Sequence, residues 1–124
     1  MTIKHIVMWS VQGEDEAARA SNAAFVKAEF ESLRGRVPGL LHLEVGVDES
    51  RIDYACDVVL VTEFTSREAL AGYAQHPEHL RVRQRLGDLR RTRHQVDYEI
   101  ADETVRDRSA PQGAPEPAGT ASRG

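Results

Sequence analysis

Tyr73 and His79 are the side chains of this sequence best suited to moving a proton, and they share the segment Tyr73-Ala74-Gln75-His76-Pro77-Glu78-His79. A neutral imidazole in apolar surroundings can take a proton from carbon next to a carbonyl, while a nearby phenol donates a hydrogen bond to the developing enolate. Histidine suits the first task because its ordinary pKa, about 6.5, lies close to working pH. Without chemistry, the same residues read as a first-turn histidine bonded to a backbone carbonyl and a tyrosine that fills core. His5 sits among Ile3, Val7 and Trp9, where a histidine is either a hydrogen-bonded core residue or part of a pocket wall. His76 precedes Pro77 and reads as a helix cap. His42 and His94 have no constellation around them and read as surface or interface residues.

Other chemistries find less support. No histidine and carboxylate pair has metal-ligand spacing, because Pro77 marks a helix start between His76 and His79 and makes their side chains diverge. The single cysteine, Cys56, cannot form an internal disulfide and reads as a small apolar filler. The formal net charge of −4 argues against a nucleic-acid binder. Arg81, Arg83, Arg85, Arg90, Arg91 and Arg93 form a basic run. With Glu78, Asp88, Asp97 and Glu99 to balance it, the run reads as a solvated, ion-paired face of a helix. No apolar stretch approaches the roughly 20 residues needed to span a bilayer. Met1–Trp9 holds one basic residue and a polar, acidic run follows, so a cytoplasmic location is expected.

The elements that must position these groups follow from hydrophobic period. The 124 residues support one domain, expected over 1–102. Residues 103–124 carry Pro111, Pro115 and Pro117, one branched aliphatic (Val105) and no aromatic, so that segment is expected to be a disordered tail. Ile3, His5, Val7 and Trp9 alternate with Lys4, Ile6, Met8 and Ser10 as a strand. Glu14, Asp15 and Glu16 open a helix whose stripe is Val26, Phe30, Leu33 and Val37, ended by Pro38-Gly39. A second strand places Leu41, Leu43, Val45 and Val47 on one face. A third, about Tyr54–Phe64, carries Val58, Leu60, Thr62 and Phe64 on one side and Val59 and Val61 on the other. Ser66 caps a short helix to about Tyr73, and Pro77 starts another that runs to about Arg91. His94, Val96, Tyr98 and Ile100 alternate as a fourth strand.

The order β-α-β-β-α-β predicts an α+β, ferredoxin-like fold, a four-stranded antiparallel sheet with helices on one face. Helices can cover only one side of the sheet, yet the first and third strands are apolar on both. A second copy of the chain is the simplest cover for the other side.

Lys4-His5-Ile6-Val7, Asp57-Val58-Val59-Leu60-Val61 with Glu63-Phe64, and Tyr73-x-x-His76-Pro77-x-His79 together resemble the stress-responsive dimeric α/β-barrel (Dabb) family over nearly all of residues 1–100. The resemblance implies a homodimeric α/β barrel with a cavity in each protomer between sheet and helices. It does not imply one reaction. Set against a plant polyketide cyclase of the family, olivetolic acid cyclase, His79 matches the general-base histidine, Tyr73 its partner tyrosine and His5 a pocket histidine. Phe30 stands where that enzyme has a second tyrosine and Val58 where it has another histidine, and Val7, Trp9 and Leu60 complete the wall. The expected function is an apolar pocket that binds a small carbonyl compound, with His79 and Tyr73 as acid–base groups for a step such as polyketide cyclisation or isomerisation. Neither cofactor nor metal is called for. The alternative is a non-enzymatic, stress-responsive structural or ligand-binding dimer.

Overall fold

The computed structural model describes residues 1–101; the tail expected over 103–124 lies outside the described residues. The chain runs β1 (Thr2–Val11), α1 (Glu16–Glu31), β2 (Leu40–Val47), β3 (Val58–Phe64), α2 (Arg67–Gln75), α3 (Pro77–Leu86) and β4 (Arg90–Ile100). The strands form one antiparallel sheet in the order β2-β3-β1-β4, the expected ferredoxin-like arrangement with its second helical segment broken in two. Among the described residues no helix is long and apolar enough to cross a membrane.

Local chemistry sets the helix starts. Asp15 accepts the Ala18 amide at 2.8 Å and Ser66 the Ala69 amide at 3.0 Å, each satisfying a first-turn donor. His76 ends α2 and begins α3, its Nδ1 accepting the Glu78 amide at 3.0 Å. Pro77 suits the first helical position because its missing N–H would have gone unpaired there.

Register decides which face is core. Ile3 pairs with Phe64, His5 with Thr62, Val7 with Leu60 and Trp9 with Val58, and all eight are buried beneath the helices. Val26 and Phe30 of α1, Tyr73 of α2 and Val82 and Leu86 of α3 close over them. The other face holds Ile6, Val59 and Val61, half-buried, with Met8, Val96 and Tyr98 exposed. One side of the sheet is therefore apolar and uncovered by the chain itself.

Four boundaries differ from the sequence reading. Helix α1 stops at Glu31, although Leu33 and Val37 stay buried. Ser32 Oγ donates to the Glu29 carbonyl at 2.6 Å, competing with the helix ladder, and Gly35 at φ 75° takes the chain into its turn. In β2 the register shifts between Leu40 and His42, which leaves Leu41 outward and 57% exposed. Helix α3 ends at Leu86, since Gly87 at φ 55° turns the chain. Leu89, Arg90 and Arg91 therefore lie outside the helix, and Arg90 opens β4.

The fourth change concerns β3, which begins at Val58 rather than Tyr54. Asp57 instead braces the bulge in β1 between Ser10 and Val11. Its Oδ2 accepts the buried Val11 amide at 2.8 Å, its own amide donates to the Trp9 carbonyl at 2.8 Å, and Arg51 reaches its Oδ1 at 3.3 Å. Asp57→Ala strands the Val11 N–H where water cannot reach it. It should lower unfolding stability by about 1–3 kcal/mol. Asp57→Asn keeps an acceptor oxygen and should lose less. Urea denaturation of the two variants checks the ranking, and equal losses would contradict the bracing role.

Candidate active site

A cavity of about 320 Å³ opens between the sheet and the helices. β1 supplies His5, Val7 and Trp9 to its wall, α1 Phe30 and β3 Leu60. Tyr73 enters from α2, His79 and Arg83 from α3, and Arg90 and Arg93 from β4. Seven of the eight residues singled out from the sequence thus line one hollow. Val58 does not. It is 2% exposed and packed in the core, opposite Trp9 in the sheet register.

The Tyr73 and His79 rings lie 4.4 Å apart between centroids, inclined at 56°. The His5 ring also lies near Tyr73, at 6.2 Å between centroids. His79 Nδ1 is 3.3 Å from the Ala74 carbonyl. A carbonyl oxygen only accepts, so Nδ1 carries the proton and Nε2 keeps its lone pair. Burial lowers the His79 pKa to about 4, with the Ala74 bond opposing this and Arg83, Arg90 and Arg93 adding to it. The imidazole is therefore neutral at physiological pH.

Tyr73 is 3% exposed. Burial pushes its phenol pKa well above the ordinary value, against the pull of Arg90 and Arg93, so the hydroxyl keeps its proton. That hydroxyl makes no hydrogen bond among the described residues. A buried donor without a partner is costly, and this one stands at a cavity wall.

His5 donates from Nδ1 to Asp97 Oδ1 at 2.6 Å, and the other oxygen of Asp97 accepts Gln95 Nε2 at 3.0 Å. The sequence reading missed Asp97. It pairs with His5 because β4 and β1 place the two side by side in register, a relation between residues 92 apart that local spacing does not show.

It also missed the three arginines. The basic run is not one solvated helix face: Arg83 comes from α3 and Arg90 and Arg93 from β4, and all three reach the cavity. The pocket expected to be apolar is instead part apolar and part cationic. The early end of α3 at Gly87 causes this, since a helix continued to Arg91 would not have passed Arg90 and Arg93 to the sheet.

A larger hollow of about 530 Å³ lies elsewhere, lined by Met8, Val47, Cys56 and His94 among others. Tyr54 and His94 are also in its lining, but no ring contact joins them among the described residues. Among the described residues no group of three or more His, Cys, Asp or Glu side chains is placed to hold a metal ion.

The fold and this site together define a small α/β-barrel protomer with a polar-ended cavity. Residues 3–100 match the model of the stress responsive A/B barrel domain, and the chain belongs to that family, Dabb. Its fold is similar to a dimeric ferredoxin-like protein of unknown function from Bacteroides fragilis, 25% identical, with a TM-score of 0.70 over 80% of this chain and 96% of that one. It is also similar to a hydroxynitrile lyase from Passiflora edulis, 13% identical, with a TM-score of 0.66 over 82% and 94%. A cofactor-independent oxygenase from Streptomyces nogalater, SnoaB, is 17% identical, with a TM-score of 0.62 over 82% and 94%. No curated protein matches this chain in sequence.

Proposed function

We propose that the cavity binds a small enolisable carbonyl compound and moves a proton at the carbon beside its carbonyl, without a cofactor. His79 Nε2 takes the proton, and the Tyr73 hydroxyl donates a hydrogen bond to the oxygen where negative charge collects. The observation that carries this reading is the pairing of a neutral imidazole with an unpartnered, protonated phenol at 4.4 Å on one cavity wall. Cyclisation of a linear polyketide and isomerisation both begin with such a proton transfer. Similar folds in a lyase and a cofactor-independent oxygenase support a small-molecule role for this architecture. The test is exchange of the methylene protons of benzoylpropionate methyl ester in heavy water, followed by NMR, with native protein against His79→Ala. Exchange that the native protein does not accelerate would remove the catalytic reading.

A non-catalytic dimeric binding module is favoured by one feature, the stacking of Trp9 on Phe30 at 5.0 Å between centroids, which narrows the hollow. Ligand binding with no proton exchange identifies this alternative.

The working unit in this reading is a cytoplasmic homodimer. An unpaired Cys56 suits a reducing compartment. The uncovered apolar face of Ile6, Met8, Val59, Val61, Val96 and Tyr98 needs a partner sheet, and the Bacteroides fragilis relative is described as dimeric. Light scattering after size exclusion should give twice the 13.8 kDa chain mass. A monomer at micromolar concentration would contradict the pairing.

A further inference from the structure

Six arginines elsewhere in the fold have a carboxylate partner, while Arg34 and Arg91 have none among the described residues. Arg19 and Arg51 meet Glu16 at 2.6 Å, Arg85 meets Glu29 at 2.8 Å and Arg81 meets Glu78 at 2.9 Å. Arg83, Arg90 and Arg93, which face the cavity, have no ion-pair partner among the described residues. Asp97, the carboxylate that lines the neighbouring hollow with Arg93, is committed to His5 and Gln95. Arg93 is held by the neutral Gln95 Oε1 at 3.1 Å, which orients the guanidinium without discharging it. A chain of net charge −4 thus gathers three uncompensated cations around one hole.

Arg90 is the best placed of the three. Its guanidinium lies 5.0 Å from the Trp9 ring and 5.7 Å from the Phe30 ring, a cation–π seat that fixes its position. Burial, followed by repulsion from Arg93 and Arg83, lowers its pKa from the ordinary value, so the cluster is held against its own charge. Beside the Tyr73 hydroxyl, the His5 and His79 rings and the Gln75 amide, the three guanidiniums are the charged groups that line the hollow. Donors and cations converging on a hollow of about 320 Å³ fit a compact oxyanion.

We propose that the ligand of this cavity is a small organic anion, whose carboxylate or phosphate head is bound by Arg83, Arg90 and Arg93 while its carbonyl lies toward Tyr73 and His79. The inference rests on the proton-transfer reading for the carbonyl end, and it adds the charge of the substrate. The Trp9 and Phe30 rings beside Arg90 favour an aromatic group in the ligand.

Calorimetry on the full chain with benzoylpropionate and with its methyl ester isolates the charge, since the two differ only at the head. The acid should bind at least about tenfold tighter, the scale of one charge-assisted contact, and added salt should shrink the difference. Arg90→Gln should erase the preference. If that variant fails to fold for want of its aromatic contacts, Arg83→Gln and Arg93→Gln, at exposed residues, should each reduce it. Phenyl phosphate in a parallel titration separates the two heads, the tighter of the two acids naming the one recognised. Equal binding of acid and ester, a preference unmoved by the arginine variants, or no binding of either acid would overturn the proposal. Proton exchange of the ester without anion preference sinks this inference alone. Anion binding without exchange sinks only the catalytic reading.

Discussion

His79→Ala should slow methylene proton exchange on the order of 10²–10⁴-fold, the usual contribution of a positioned general base. Its stability cost should be small, because the ring is half-buried and its one hydrogen bond is to the Ala74 carbonyl at 3.3 Å. Tyr73→Phe should also slow exchange while keeping the buried ring in place. The pH profile gives the sharper reading. With a pKa near 4, the free protein keeps a neutral His79 down to about pH 5, so kcat/KM should hold there and fall only toward pH 4. An ordinary, solvated histidine would lose activity near pH 6.5. An anion seated on Arg83, Arg90 and Arg93 offsets the cations that help to lower His79, so the acid limb of kcat should lie above that of kcat/KM. Folding stability shifts in the matching sense. As pH falls below 6.5 the unfolded chain takes up the proton that folded His79 refuses until about pH 4, so stability drops across that window and is complete above it. A kcat/KM limb at the ordinary histidine value would show that His79 is not the desolvated base.

What the sequence made legible was what local pattern encodes. Alternation in Ile3–Trp9 and Val58–Phe64 reflects a sheet face buried beneath helices, and it marked both strands and the apolar outer face. Ser66 and His76-Pro77 act on amides two or three residues away, so their caps could be read directly. Tyr73 and His79 meet because α2 breaks into α3 at a proline, a kink visible in the sequence. The missed groups depend on where one element stops. Val82, Leu86 and Leu89 fit a helical stripe, and nothing in that spacing shows that Gly87 turns the chain into β4. Arg90 and Arg93 were therefore placed on a helix surface instead of in the cavity. Asp97 escaped notice for a related reason, since its meaning comes from a strand partner 92 residues earlier. Val58 was assigned to the pocket by analogy of position, and it packs into the core instead of the cavity wall.

Phe30→Ala should be strongly destabilising. The ring is 1% exposed, it stacks on Trp9 at 5.0 Å with 14° between planes, and it is part of the seat of Arg90. Removing a buried phenyl costs about 3–5 kcal/mol through lost transfer energy and the void left behind. A small domain has only about 5–15 kcal/mol to lose. Urea denaturation measures the change, and a loss under about 1 kcal/mol would show that α1 does not pack on the sheet as described. The position of the ring adds a second expectation. Phe30 borders the existing cavity, so the vacated volume should join it instead of forming a sealed hole. An aromatic acid such as benzoylpropionate can then fill part of that space and should restabilise Phe30→Ala more than it stabilises the native protein. Stabilisation that is no greater in the variant would mean that the surrounding side chains collapse into the gap, and that Phe30 belongs to the core alone and not to the ligand's wall.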